Sequence, residues 1–90
     1  MNNLLSEKDT RAVLDILVEQ LGMQESQLTP DADLQEDLAA DSLMLIEITM
    51  ALEGHFDIAI PDSETERIRT VGDIFEVLGE RLQNRGHRSV

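Results

Sequence analysis

Ser42, His55 and Asp57 are the one hydroxyl, imidazole and carboxylate that could be drawn as a nucleophilic relay. No G-x-S-x-G elbow surrounds Ser42, and that strained turn is what exposes a hydrolase serine. A chain of 90 residues also leaves little framework for preorganising an oxyanion hole. The other histidine, His87, falls in a polar C-terminal stretch. A second arrangement is the alternation of Asp31, Asp33, Gln35 and Asp37, which imitates the start of a calcium loop. Such a loop needs Gly at its sixth position and a bidentate Glu at its twelfth, where this chain has Glu36 and Ser42. The motif fails, and weak divalent binding is all the cluster could offer. There is no cysteine, which excludes disulfides, thiolate zinc sites and a cysteine nucleophile. Any thiol chemistry therefore requires a thiol attached later.

What remains is Asp41-Ser42-Leu43, at the start of an apolar helical pattern. Taken alone, a serine at a helix start is most often a cap, because its oxygen satisfies a free N–H of the first turn. The elements around it are readable. Ser6 followed by Glu7-Lys8-Asp9 is an N-cap with acid in the first turn, and Val13, Leu14, Leu17, Val18 and Leu21 recur at helical spacing before Gly22. This predicts a helix over about 7–21. Residues 23–40 have no sustained period and contain Pro30, so they read as a long loop anchored by Leu28, Leu34 and Leu38. A loop of that length in a compact domain is usually functional.

The next helix is predicted from Asp41-Ser42 to about Gly54. At 3.6 residues per turn, Leu45, Thr49, Leu52 and Phe56 share its inward face, flanked by Ile46 and Ile48. Leu43, Glu47, Met50, Ala51 and Gly54 share the outer face, with Met44 also turned away from the inward row. A connector, residues 57–62, leads to a short helical turn around 63–68. Thr70 with Asp73 forms a capping box that opens the last helix through Val71, Ile74, Phe75, Leu78 and Leu82. The expected fold is an all-α, irregular four-helix bundle: three main helices, one short helix and a long first loop. A single domain over 1–90 is expected, with its core at about 5–83 and a frayed polar tail over 84–90.

Aromatics are only 2% of the chain, so the core must be aliphatic and no platform for stacking bases exists. Net charge is −12, and no Lys or Arg lies between Arg11 and Arg67, an interval with fourteen Asp and Glu. That field repels nucleic acid and anionic membrane and attracts basic surfaces. The N-terminus lacks a basic segment followed by an apolar run, and no apolar stretch nears the roughly 20 residues of a membrane span. A cytoplasmic monomer that binds neither nucleic acid nor membrane is expected.

The segment from Leu34 to Leu43, LQEDLAADSL, continues into Ile46-Glu47-Ile48, Met50-Ala51-Leu52-Glu53, Phe56-Asp57 and Ile60-Pro61-Asp62, with Thr70-Val71-Gly72-Asp73 further on. This resembles the acyl carrier protein family over nearly the whole chain. The resemblance implies that Ser42 accepts 4′-phosphopantetheine from coenzyme A, delivered by a separate phosphopantetheinyl transferase. The arm would then hold acyl intermediates as thioesters for fatty-acid synthesis or a specialised lipid or polyketide branch. It further implies that Asp41 helps a basic transferase dock, that Leu43 is an apolar contact beside the serine, and that Glu47 and Glu53 meet basic patches. Met44 and Met50 complete the expected partner surface near Ser42. The implied partners are acyl transferases, ketosynthases or acyl-activating ligases with basic docking patches. A peptidyl or aminoacyl carrier and an unmodified acidic binding module are the alternatives. With no catalytic constellation left, the chain reads as a substrate of enzymes and not an enzyme.

Departures from the family pattern carry information. Ala39 stands where relatives usually have Gly, so the turn there is expected to avoid positive φ. Met44 replaces a common acid, and Gly54 and His55 replace others near the end of the helix. This outer face is thus less acidic than a housekeeping carrier's, which favours a specialised branch. Thr49 takes a position where relatives tend to have Val; a hydroxyl bonded back to its own helix is expected there rather than a cargo contact.

Overall fold

The computed structural model describes residues 5–87, and the side chains among them through Gln83. Four α-helices are described, α1 Glu7–Leu21, α2 Ser42–Phe56, α3 Asp62–Thr65 and α4 Val71–His87, and a long loop with a short 3-10 turn at Glu25–Gln27 joins the first two. Helix α1 starts where the Asp9 N–H donates to Ser6 Oγ at 3.1 Å and stops at Gly22, whose φ of 67° places it in the left-handed region. Both ends follow from local chemistry, because serine satisfies a free donor and glycine tolerates that φ without a Cβ clash.

Burial follows the helical period. Val13 and Leu17 from α1, Ile48, Leu52 and Phe56 from α2, and Val71, Ile74, Val77 and Leu78 from α4 are buried together with Leu28, Leu34 and Leu38 of the loop. Each such aliphatic side chain contributes about 1.5–3 kcal/mol when removed from water. The loop is thereby a wall of the core. Its order within the chain is also fixed by backbone: Leu34 N–H donates to Arg69 O at 2.9 Å, Val71 N–H to Ala32 O at 3.1 Å and Gly72 N–H to Pro30 O at 3.0 Å. An isolated antiparallel bridge between Asp33 and Thr70 results. The long loop is therefore laced to the start of α4.

Three element bounds differ from expectation. Helix α2 continues past Gly54 to Phe56, where Asp57 takes up a left-handed φ of 56° and closes it. Helix α3 begins earlier, at Asp62 after Pro61, and ends at Thr65; beyond it Arg67 and Ile68 bond three residues back, a tighter winding than the α-helix. Helix α4 runs to His87, into the stretch expected to fray, while residues 88–90 of the expected tail lie outside the described residues. A helix can extend through a polar segment when its residues permit the conformation and the preceding turns are already packed.

The capping box at α4 is formed as predicted. Thr70 N–H donates to Asp73 Oδ2 at 3.0 Å, and Asp73 N–H donates to Thr70 Oγ1 at 3.1 Å. Arg69 N–H adds a bond to the same carboxylate oxygen at 3.0 Å. Because Thr70 also sits on the bridge to Asp33, this cap joins the last helix to the loop that precedes Ser42. Thr70→Val keeps the shape and removes the acceptor, and it should lower stability by about 1 kcal/mol, or a melting temperature some 4–8 °C lower. Thermal unfolding followed by circular dichroism checks this; an unchanged melting temperature would show that the box contributes nothing.

Candidate functional site

The site is built from the loop 33–41 and the first turn of α2. Asp33 organises the loop with one side chain: its Oδ1 accepts from the N–H groups of Gln35 and Glu36, each at 2.9 Å, and its Oδ2 accepts from Arg69 Nε at 3.2 Å. Its own N–H donates to Asp37 Oδ2 at 2.8 Å, and its carbonyl accepts from Asp37 and Leu38. The Glu36 N–H, aided by Arg69 and the Gln35 N–H, holds the Asp33 carboxyl below its ordinary range against partial desolvation. Asp33 and Asp37, two of the three acids in the alternation that imitates a calcium loop, are thus committed to shaping a turn.

From there the chain passes through Ala39, whose φ is 58°. This overturns the expectation that an alanine here enforces negative φ. Buried neighbours impose the conformation: Leu38 is anchored in the core on one side, and on the other Ala40 is buried with its N–H bonded to Leu34 O at 2.7 Å. Between two such fixed points the backbone has no alternative, and the Cβ strain is tolerated.

Asp41 comes next and is the N-cap of α2. Its Oδ1 accepts from Met44 N–H at 2.9 Å and its carbonyl from Leu45 N–H at 3.0 Å. Ser42 is therefore not the cap. It is the first helical residue, exposed, and among the described residues its hydroxyl is left without a hydrogen-bond partner. No acid occupies the first turn of α2. An anion linked to Ser42 Oγ would lie against the N–H groups of Ser42 and Leu43, at the positive end of a 15-residue helix. The residues present fit a phosphodiester.

Leu43, Glu47 and Met50 lie along the outward face of α2, which begins at Ser42, with Leu43 and Met50 more than 60% exposed. Two other residues expected on the partner surface are placed differently. Met44 is half-buried and packs against the core, because 100° per residue sets it at the border between the two faces and not on the outer one. Glu53 is half-buried, and its Oε2 accepts from Ile60 N–H at 2.7 Å. It ties the connector after α2 to the helix, a bond to a residue seven positions on that spacing does not disclose. Ile46, expected to flank the core, is instead 52% exposed. Thr49 behaves as expected: it is buried and its Oγ1 donates to Leu45 O at 2.8 Å.

Ser42 and His55 stand at opposite ends of α2, about 20 Å apart at the helical rise. His55 rests edge-on against the Phe56 ring, with centroids 4.7 Å apart. The relay drawn from Ser42, His55 and Asp57 is therefore not brought together. Among the described residues, no three His, Asp or Glu converge as a metal site would require, and no helix is long and apolar enough to cross a membrane.

Comparison with known proteins bears on the same residues. A family model described as the phosphopantetheine attachment site matches residues 11–78. An acyl carrier protein of Syntrophobacter fumaroxidans is 48% identical over 68 residues, which cover 76% of this chain and 84% of that protein. The crystal structure of an acyl carrier protein from Thermotoga maritima superposes with a TM-score of 0.74 at 25% identity, covering 88% of this chain and 92% of that one.

Two outcomes follow from the loop. Glycine adopts positive φ without strain but loses more chain entropy on folding, so Ala39→Gly should raise stability by a net ~0.5 kcal/mol, a melting temperature about 2–4 °C higher. A fall would mean that the φ at 39 carries no strain. The depressed carboxyl of Asp33 contributes stability that is fully present above the unfolded-chain value and is lost as pH falls through the lower folded value. Asp33→Asn should accordingly be less stable than the wild type at neutral pH and lose less between about pH 5 and pH 2. Parallel acid-unfolding curves for the two proteins would contradict this.

Proposed function

The chain belongs to the acyl carrier protein family, and we propose that Ser42 is the residue to which its 4′-phosphopantetheine is attached. The observation that carries the assignment is the division of labour at the start of α2. Asp41 does the capping, so the adjacent Ser42 hydroxyl is left exposed and unbonded at the positive end of the helix. When bound, the group supplies a thiol on which acyl chains are held as thioesters.

The protein's own part is positioning and recognition. The laced loop fixes where α2 begins, and the first two N–H groups of that helix face an anion on Ser42 Oγ with favourable polarity. Asp41, beside the serine, offers a transferase a carboxylate whose other partner is the Met44 N–H. Leu43, Glu47 and Met50 form the outward surface that a partner meets first. Met44 contributes only the edge that the core leaves uncovered, and Glu53 adds charge while holding Ile60.

The partners that suit this surface are a phosphopantetheinyl transferase and then acyl transferases, ketosynthases or acyl-activating ligases with basic docking patches. A net charge of −12 supports that choice through long-range attraction. The chain is thus a substrate handed between enzymes, one carrier domain over 1–90, working in the cytoplasm.

Incubation with coenzyme A and a broad-specificity phosphopantetheinyl transferase should raise the intact mass by one arm and introduce one titratable thiol in a chain that has no cysteine. Ser42→Ala should remain unmodified. A wild type that stays unmodified with several transferases, or a mutant that gains the same mass, would overturn the assignment and leave an acidic binding module as the better description.

A further inference from the structure

Residues 61–68, which contain α3, are fastened at both ends and weakly held between them. At one end Ile60 is buried and its N–H donates to Glu53 Oε2 at 2.7 Å. At the other, Arg69 O accepts from Leu34 N–H, Arg69 N–H donates to Asp73 Oδ2, and Thr70 lies on the bridge to Asp33. Between these points no residue is buried; Glu64, Thr65 and Ile68 are half-buried and the others exposed. Ile68 is the segment's one hydrophobic residue packed against the core. Its backbone bonds close within it: Glu64 and Thr65 N–H donate to Pro61 O, Glu66 N–H to Asp62 O, Arg67 N–H to Glu64 O and Ile68 N–H to Thr65 O. A single helical turn has no stability of its own in water, so contacts with the rest of the fold must hold it.

Arg67 supplies the polar contact. Its Nη1 lies 2.7 Å from Glu64 Oε1 and 3.6 Å from Glu80 Oε1, and its Nη2 lies 4.0 Å from Glu76 Oε1. Glu76 and Glu80 are four residues apart, hence on one side of α4. Among the described residues this guanidinium is the one polar group that ties 61–68 to the remainder of the protein. An isolated exposed ion pair contributes little. Here one cation is shared by three carboxylates, none of them ion-paired to another cation among the described residues, and the segment adds two more acids, Asp62 and Glu66. Without that cation, like charges at this range repel.

We propose that residues 61–68 form a strap and that Arg67 is its clasp. Closed, the guanidinium bridges Glu64 to Glu76 and Glu80. When it is drawn away, the strap lifts from α4 as a unit between Ile60 and Arg69. Loss of the clasp reverses the local electrostatics, from one cation gathering carboxylates to carboxylates repelling across the gap. Opening carries Ile68 off the core and leaves the Asp33 turn and the start of α2 in place, because residues 30–34 are held by their own backbone bonds to residues 69–72. The device is independent of what Ser42 carries.

Hydrogen exchange of the full-length, unmodified protein, followed amide by amide, tests this. Amides 64–68 should exchange faster than those of Val77 and Leu78 in α4 and of Leu34 and Ala40 in the loop. Arg67→Gln, corrected for its intrinsic rate, should speed exchange at 64–68 by on the order of tenfold and leave Leu34 and Ala40 unchanged. Salt should slow that exchange in the variant, because only repulsion is left to screen. Adding Glu76→Gln and Glu80→Gln to Arg67→Gln should return 64–68 to near the wild-type rate. Such a rescue cannot come from the packing lost with the arginine stem. Wild-type amides 64–68 that exchange no faster than the core of α4 would overturn the proposal. So would an Arg67→Gln variant that leaves them unchanged or speeds every amide alike, or whose fast exchange is slowed neither by salt nor by the two further substitutions.

Discussion

The structure depends most on the carboxylate of Asp33. It accepts from two N–H groups of its own turn and from Arg69, while its backbone is bridged to Thr70 at the start of α4. Little of this is worth much as an ion pair, since Arg69 is mostly exposed. Its value is geometric. A loop of 18 residues between Gly22 and Asp41 has many conformations, and the Asp33 turn, with Leu34 and Leu38 buried on either side of it, removes most of them. The start of α2 is then fixed by Ala40, which is buried and hydrogen-bonded to Leu34.

From that constraint the chemistry of Ser42 follows. A helix begun by serine would ordinarily commit the hydroxyl to capping; beginning it one residue earlier, at Asp41, leaves the hydroxyl available and still at the positive end of the helix. The cost of the arrangement is visible at Ala39, held at positive φ so that the chain can turn from the core into the cap. Strain of this kind persists where the surroundings over-determine the backbone, and it sits three residues from Ser42.

Features governed by neighbours in sequence are legible in the sequence itself. Ser6, Gly22, and Thr70 with Asp73 act over four residues or fewer, and each behaves as its chemistry dictates. The loop anchors were readable too, because an isolated Leu in a polar stretch has few other uses. The four-helix architecture and the prominence of Ser42 followed from these and from the motif around it. What was hidden acts over longer range. Ala39 has its φ imposed by packing on both sides, Met44 sits at a boundary that only tertiary neighbours resolve, and Glu53 is recruited by a connector seven residues on. Periodicity locates the faces of a helix but not the width of the surface the rest of the protein covers.

The central claim is that Ser42 is presented by a preformed loop and receives the arm without rearranging it. Backbone amide shifts of the protein before and after loading with coenzyme A and a transferase test this most directly. The account predicts changes concentrated at Ser42 and the first turn of α2, with the amides of residues 33–40 left in place. Changes centred on another hydroxyl, or a wholesale shift of 33–40 on loading, would contradict it.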